Sequence, residues 1–167
     1  LSEKKIYIRK PKKEFAKKIY KLVEDTKILD LNSEYLYLLQ TTHFKESCSI
    51  ALCEENIVGF VSGYRLPNKP DTLFVWQVAI DENFRGMGLA AKLIANTLKR
   101  KINSDIKYIH TTVSPSNKSS IKMFTKLAKY LKTEIKSKQF FEKEDFVDQH
   151  EEENLYEIGP IKRKGEK

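Results

Sequence analysis

The 167-residue sequence predicts a single-domain α/β fold, a mixed sheet covered by helices, and three observations lead there. The length suits one domain, since domains typically hold roughly 100–200 residues. Apolar residues make up 40% of the chain and aromatics 11%, which supports a buried core and excludes wholesale disorder. Short apolar runs alternate with segments of helical periodicity, strand with helix in the second half, and no repeat or break in composition interrupts them.

The elements follow in order. Residues 6–9, Ile-Tyr-Ile-Arg, read as a short strand. Pro11 then opens a helix, a position that tolerates proline, and Phe15, Ile19, Leu22 and Val23 recur at helical spacing until about Thr26. Asn32 or Ser33 is suited to cap a second helix carrying Tyr35, Leu38 and Leu39. Cys48, Ile50 and Leu52 alternate as in a strand, Glu54-Glu55-Asn56 turns, and residues 57–66 complete a hairpin. A loop is expected at 67–71. Residues 73–80 are almost continuously apolar, the pattern of a central strand buried on both faces. A loop at 81–88 leads to a helix striped by Leu89, Leu93, Ile94 and Leu98, followed by a strand at 107–113. Ser114-Pro115-Ser116-Asn117 is a turn with cap chemistry before a helix packed by Ile121, Phe124, Leu127 and Leu131. Late strands are expected at 133–136 and 155–158 with a looped-out segment between them. The domain is taken as 1–167, with 161–167 a flexible tail.

Thirty-one Lys and Arg against 23 Asp and Glu give a net charge of +8. The lysines are spread over segments whose helices turn one side to water, and no nucleic-acid motif accompanies them, so no nucleic-acid partner is expected. No stretch approaches the ~20 apolar residues of a membrane helix, and residues 1–5 lack an apolar signal core. No membrane partner and a cytoplasmic location are the expectations. Cys48 and Cys53 lie an odd number of positions apart, which on one strand points them to opposite faces. They match no metal spacing and are read as small buried apolar residues; no metal is expected.

The chemistry concentrates in residues 77–90, QVAIDENFRGMGLA. A buried strand runs into a glycine-bearing loop and the loop into a helix. Without Cβ atoms, Gly86 and Gly88 let a ligand approach the backbone closely. The loop amides and the helix N-terminus form an anion cradle, and Arg85 adds a charge with bidentate geometry for phosphate. The spacing is neither that of a P-loop nor of a dinucleotide-binding turn.

Arg85, Gly88 and Ala90 together resemble the R/Q-x-x-G-x-G/A acetyl-CoA signature of the GNAT superfamily of N-acetyltransferases. Three longer stretches narrow the resemblance to the L-2,4-diaminobutyrate acetyltransferases of the ectoine pathway: Leu29-Asp30-Leu31-Asn32-Ser33 with Tyr35 and Tyr37; residues 58–64 and 70–79; and residues 111–117 with His150-Glu151 and Ile158-Gly159-Pro160. The resemblance implies a GNAT-like mixed, mostly antiparallel twisted sheet flanked by helices. It also implies acetyl transfer from acetyl-CoA, as co-substrate, to the γ-amine of L-2,4-diaminobutyrate, and a homodimer.

For such a reaction the backbone at Val78 is the expected oxyanion donor, and Val78 and Ile80 the expected partners of the pantetheine arm. Arg85, Gly86, Gly88, Ala90 and Asn117 complete the cofactor set, although Asn117 reads equally well as a helix cap. Asp30 is suited either to an ammonium or to capping. Trp76 reads as core or as a cation–π wall. Asn32, Tyr35, Tyr37 and Thr112 are further polar contacts for the substrate. Glu151 and Glu153 are the candidates for holding or deprotonating an amine, with His43 and His150 as other possible bases. The superfamily often has a tyrosine acid seven residues after the asparagine; here Phe124 stands there, and it reads as core. Two other readings remain: a GNAT enzyme acting on a polyamine or protein amine, and a non-catalytic acyl-CoA-binding module.

Overall fold

The computed structural model describes residues 3–164. Its seven-stranded sheet has the order β1-β2-β3-β4-β5-β7-β6. The strands are β1 (Ile6–Arg9), β2 (Ser49–Cys53), β3 (Asn56–Leu66), β4 (Lys69–Ile80), β5 (Tyr108–Val113), β6 (Ile135–Phe141) and β7 (Glu153–Ile158). The helices are α1 (Ala16–Thr26), α2 (Glu34–Gln40), α3 (Leu89–Lys99) and α4 (Lys118–Tyr130). β4 and β5 run parallel, whereas β1–β2, β2–β3, β5–β7 and β6–β7 are antiparallel. The mixed, mostly antiparallel sheet is the one expected.

The chain forms two compact units. The first takes in residues up to Tyr64 and Val75–Ser104; the second takes in Arg65–Phe74 and residues from Asp105 onward. In the first, neighbouring strand residues point to opposite faces, and each face is covered by helix. Ile50, Phe60 and Ala79 join Ile19, Leu22 and Val23 of α1 and Tyr37 of α2 in one buried cluster. Ala51, Gly59 and Ile80 meet Leu93 of α3 on the other face. A Cβ at Gly59 would lie 3.0 Å from the Leu93 side chain, so this glycine permits the close approach of α3. Each large apolar side chain buried here contributes roughly 1.5–3 kcal/mol. Cys48 and Cys53 are buried and unbridged, and burial pushes the Cys48 thiol up to about 12.

In the second unit Ile109, Thr111 and Val113 alternate as the buried face of β5, and Phe124, Leu127 and Ala128 form the buried stripe of α4. Phe124 is core, as its spacing predicts.

Three expectations are corrected. Residues 67–71 are not one long loop, because β4 already begins at Lys69 and carries Pro70 in its first turn of chain. The strand expected at 133–136 starts at Ile135 and runs on to Phe141, taking up part of the segment expected to loop out. It carries Lys136 and Lys138 and buries no face, so no alternation marks it in the sequence. The tail expected at 161–167 is tied down at its start. Ile161 is buried and its N–H donates to the Lys107 carbonyl at 2.7 Å, while Arg163 donates to the Ile106 carbonyl at 3.0 Å. Residues 165–167 lie outside the described residues.

Candidate active site

The first unit supplies a cradle and a set of polar groups at the end of β4. The β4–α3 connection contains a single 3-10 turn, Glu82–Phe84, and then Gly86 and Gly88 at φ +77° and +69°. Positive φ strains any residue with a Cβ, and open space lies where those Cβ atoms would stand. Gly88 occupies the N-cap of α3 with no side chain bonding the helix amides. The first-turn N–H groups, Ala90's among them, are thus available to an anion.

Arg85 is exposed, and its Nε donates to the Ile80 carbonyl at 3.3 Å. It also lines a cleft of about 760 Å³ within the first unit, with Lys18, Lys21, Asp25, Asp81 and Glu82. The expected phosphate-binding guanidinium therefore stands among charges of both signs. Val78 and Ile80 are both half-buried.

One buried side chain, singled out by no motif, organises the substrate candidates of this unit. Gln77 is 6% exposed. Its Nε2 donates to the Asp30 carbonyl at 2.7 Å, and its Oε1 accepts from the Tyr37 hydroxyl at 3.1 Å. Its backbone N–H donates to Ser62 Oγ at 3.0 Å. The Asn32 N–H donates in turn to the Tyr37 hydroxyl at 3.4 Å. The loop bearing Asp30 and Asn32 is thereby fixed to β4. Tyr37, expected as a substrate contact, is instead fully buried and part of this support.

Ser33 accepts from the Leu36 N–H and is the cap of α2, so Asp30 is not. The Asp30 side chain is exposed. Tyr35 is 68% exposed and Trp76 45%. Trp76 therefore is not core; its ring meets Tyr64 edge-on at 6.5 Å between centroids. His43 is exposed, its ring against Phe44.

The second unit gathers Thr112, Asn117, Glu151 and Glu153. Glu153 opens β7, and its carboxylate accepts from Thr112 Oγ1 at 2.9 Å; His150 Nε2 lies 3.9 Å from it. Glu151 accepts from Ser116 twice, from the backbone N–H at 3.0 Å and from the hydroxyl. Asn117 caps α4 by accepting from the Ser120 N–H at 3.2 Å, so its capping role is realised. Ser116 carries no signal of its own: one serine in a turn reads as turn chemistry. Among the described residues no group of three or more His, Cys, Asp or Glu is arranged to hold a metal ion. No helix there is long and apolar enough to cross a membrane.

A mixed sheet of this order, with a glycine cradle between a central strand and a helix, is the architecture of an acyl-CoA-dependent transferase. The sequence pattern of the Acetyltransferase (GNAT) family matches residues 16–130, and the chain belongs to that family. It is 46% identical over 158 residues to the L-2,4-diaminobutyric acid acetyltransferase of Methylotuvimicrobium alcaliphilum, covering 94% of this chain and 92% of that one. The enzyme of the same name from Halomonas elongata is 41% identical over 93% of this chain and 82% of its own length. The diaminobutyrate acetyltransferase EctA from Paenibacillus lautus, solved in complex with its substrate L-2,4-diaminobutyric acid and coenzyme A, matches with a TM-score of 0.91. It is 36% identical over 96% of this chain and 98% of that chain. Within the GNAT family the chain belongs with the L-2,4-diaminobutyric acid acetyltransferases.

Proposed function

We propose that this chain transfers the acetyl group of acetyl-CoA to the γ-amine of L-2,4-diaminobutyrate, giving Nγ-acetyl-diaminobutyrate and CoA. The observation that carries the reading is 46% identity to an enzyme of that name across 94% of the chain. The open glycine cradle before α3 supports the acetyl-CoA half of it. The reading treats 1–167 as one acetyltransferase domain.

The substrate ammonium first loses a proton to the Glu153 carboxylate, directly or through water. The freed lone pair attacks the thioester carbonyl carbon, forming the C–N bond. The Val78 N–H stabilises the developing oxyanion. Collapse breaks the C–S bond and expels CoA thiolate, which takes the nitrogen's second proton, directly or through water, to leave the amide and CoA–SH. A thiol pKa of roughly 8.5 makes the thiolate a tolerable leaving group, so Phe124 in place of an acidic side chain is no obstacle. Asp30 holds the α-ammonium, Trp76 forms a cation–π wall, and Asn32, Tyr35 and Thr112 supply polar contacts. Arg85, Gly86, Gly88, Ala90 and Asn117 bind the phosphates and pantetheine of acetyl-CoA, with the backbone of Val78 and Ile80.

The product would feed ectoine synthesis under osmotic stress, in the cytoplasm. We propose a homodimer, supported by the exposed pair Phe140 and Phe141 on β6.

The test is a mass-spectrometric assay with acetyl-CoA against a panel of diamino acids, polyamines and peptide N-termini. Diaminobutyrate is expected to be turned over most efficiently, and Glu153→Gln to lower kcat/KM at least about 100-fold, as for loss of a general base. Preferential turnover of a polyamine or peptide would favour the alternative GNAT reading. CoA binding without turnover of any amine would reduce the chain to a binding module.

A further inference from the structure

We propose that Glu151 is a positioning residue, whose two-point hold on Ser116 fixes the start of β7 and thereby aims Glu153. The inference rests on the role given above to Glu153. The backbone ladder between β5 and β7 ends at the pair Val113 and Asn154. Beyond it the two segments are led apart by their own connections. β5 enters the turn of residues 114–117, and β7 is approached through residues 142–152, whose regular structure is a single 3-10 turn, Lys143–Asp145. Glu153 is the first residue of β7; its register partner on β6 is Phe141, but on the β5 side it lies beyond the last ladder pair, where a strand end frays first.

The side chains continue the fastening where the backbone stops. Thr112 donates to Glu153 at 2.9 Å. Two residues earlier on the same segment, Glu151 takes the Ser116 backbone N–H at 3.0 Å with Oε1 and the Ser116 hydroxyl with Oε2. Both bonds are charge-assisted and together have two-point geometry, which fixes direction as well as distance. Ser116 is itself held: the Asn117 N–H donates to the Ser114 carbonyl at 2.9 Å, and the Lys118 N–H to the Ser116 carbonyl at 2.9 Å. On the other side, His150 Nδ1 donates to the Glu151 carbonyl, and the His150 ring stacks on Phe146 at 4.0 Å. The carboxylate of Glu151 is thus spent on the β5–α4 turn. It locks Glu153 and the α4 cap Asn117 into one rigid piece.

The experiment compares Glu151→Ala, Glu151→Gln, Ser116→Ala and the double variant S116A/E151A in the full chain. Steady-state constants for both substrates and the pH profile of kcat/KM are measured, with thermal melts alongside. Glu151→Ala and Ser116→Ala are each expected to lower kcat/KM for diaminobutyrate about tenfold, mainly through kcat, a typical coupling for residues in one network. The double variant is expected to be no worse than either single one. Glu151→Gln keeps an oxygen for the Ser116 N–H and restores most of the loss, and the shape of the pH profile stays that of the parent enzyme. A Glu151→Gln variant as impaired as Glu151→Ala, with a limb of the pH profile lost, would make Glu151 a base and overturn the proposal. Unchanged kcat/KM in Glu151→Ala and Ser116→Ala, or additive losses in the double variant, would overturn it as well. Failure of the underlying reading is separate: it would appear in the parent enzyme as no diaminobutyrate turnover, or in Glu153→Gln as full activity.

Discussion

At the scale of the residue, Asp30 and Trp76 test the substrate site with the least disturbance to the fold, since both side chains are exposed. Asp30→Ala and Trp76→Ala are expected to lower kcat/KM for diaminobutyrate about 10- to 100-fold, in the range for losing a charged or cation–π contact. CoA affinity, measured by calorimetry, is expected to hold within a few fold. Both residues stand in the unusual stretches that carry the family resemblance. Gln77 was not read, although one amide within an apolar run is a signal: a buried polar side chain must find partners, and this one finds Asp30 and Tyr37. Gly159 makes a second prediction. Its φ is +148°, and a Cβ there would lie 2.6 Å from the Tyr108 ring and 2.7 Å from the Lys107 carbonyl. Gly159→Ala is expected to cost about 1–3 kcal/mol, read as a lowered midpoint in urea.

At the scale of the element, the second unit carries an ionic link between strands. His110 on β5 shares a 2.7 Å hydrogen bond with Glu157, its register partner on β7, and Lys69 at the start of β4 lies 3.7 Å from the same carboxylate. The hydrogen bond from His110 holds the Glu157 carboxyl below its ordinary value; partial burial opposes this and the Lys69 charge adds to it. A depressed folded pKa contributes stability that is present above the unfolded carboxylate value of about 4.3 and is lost as pH falls through the folded value. Denaturation curves between pH 3 and 6 should therefore show the advantage of the parent over Glu157→Gln shrinking as the solution is acidified. An advantage constant across that range would contradict the link. Helices and most strands were readable because each buries one face and so displays a period; β4 was readable from its apolar run, although it buries only one face fully and leaves Trp76 exposed on the other. β6 was read short because its side chains are exposed along most of its length. The start of β4 was missed because Pro70 argues against a strand.

At the scale of the whole molecule, the order of strands and helices was legible in full, as was the glycine-bearing connection between β4 and α3. The pairing of distant side chains was not, since Thr112 with Glu153 and Ser116 with Glu151 are brought together only by the β5–β7 register. In the proposed reaction the α-amine and carboxylate of diaminobutyrate are anchored, so the γ-amine alone reaches the thioester. A nucleophile misplaced by about 1 Å can cost ~100-fold, and a substrate lacking the carboxylate leaves site groups unpaired. NMR mapping of the product from acetyl-CoA and L-2,4-diaminobutyrate, with ornithine and putrescine run in parallel, tests this most directly. The account predicts acetylation at the γ-nitrogen of diaminobutyrate and much weaker turnover of the other two amines. Acetylation mainly at the α-nitrogen, or equal efficiency on putrescine, would contradict it.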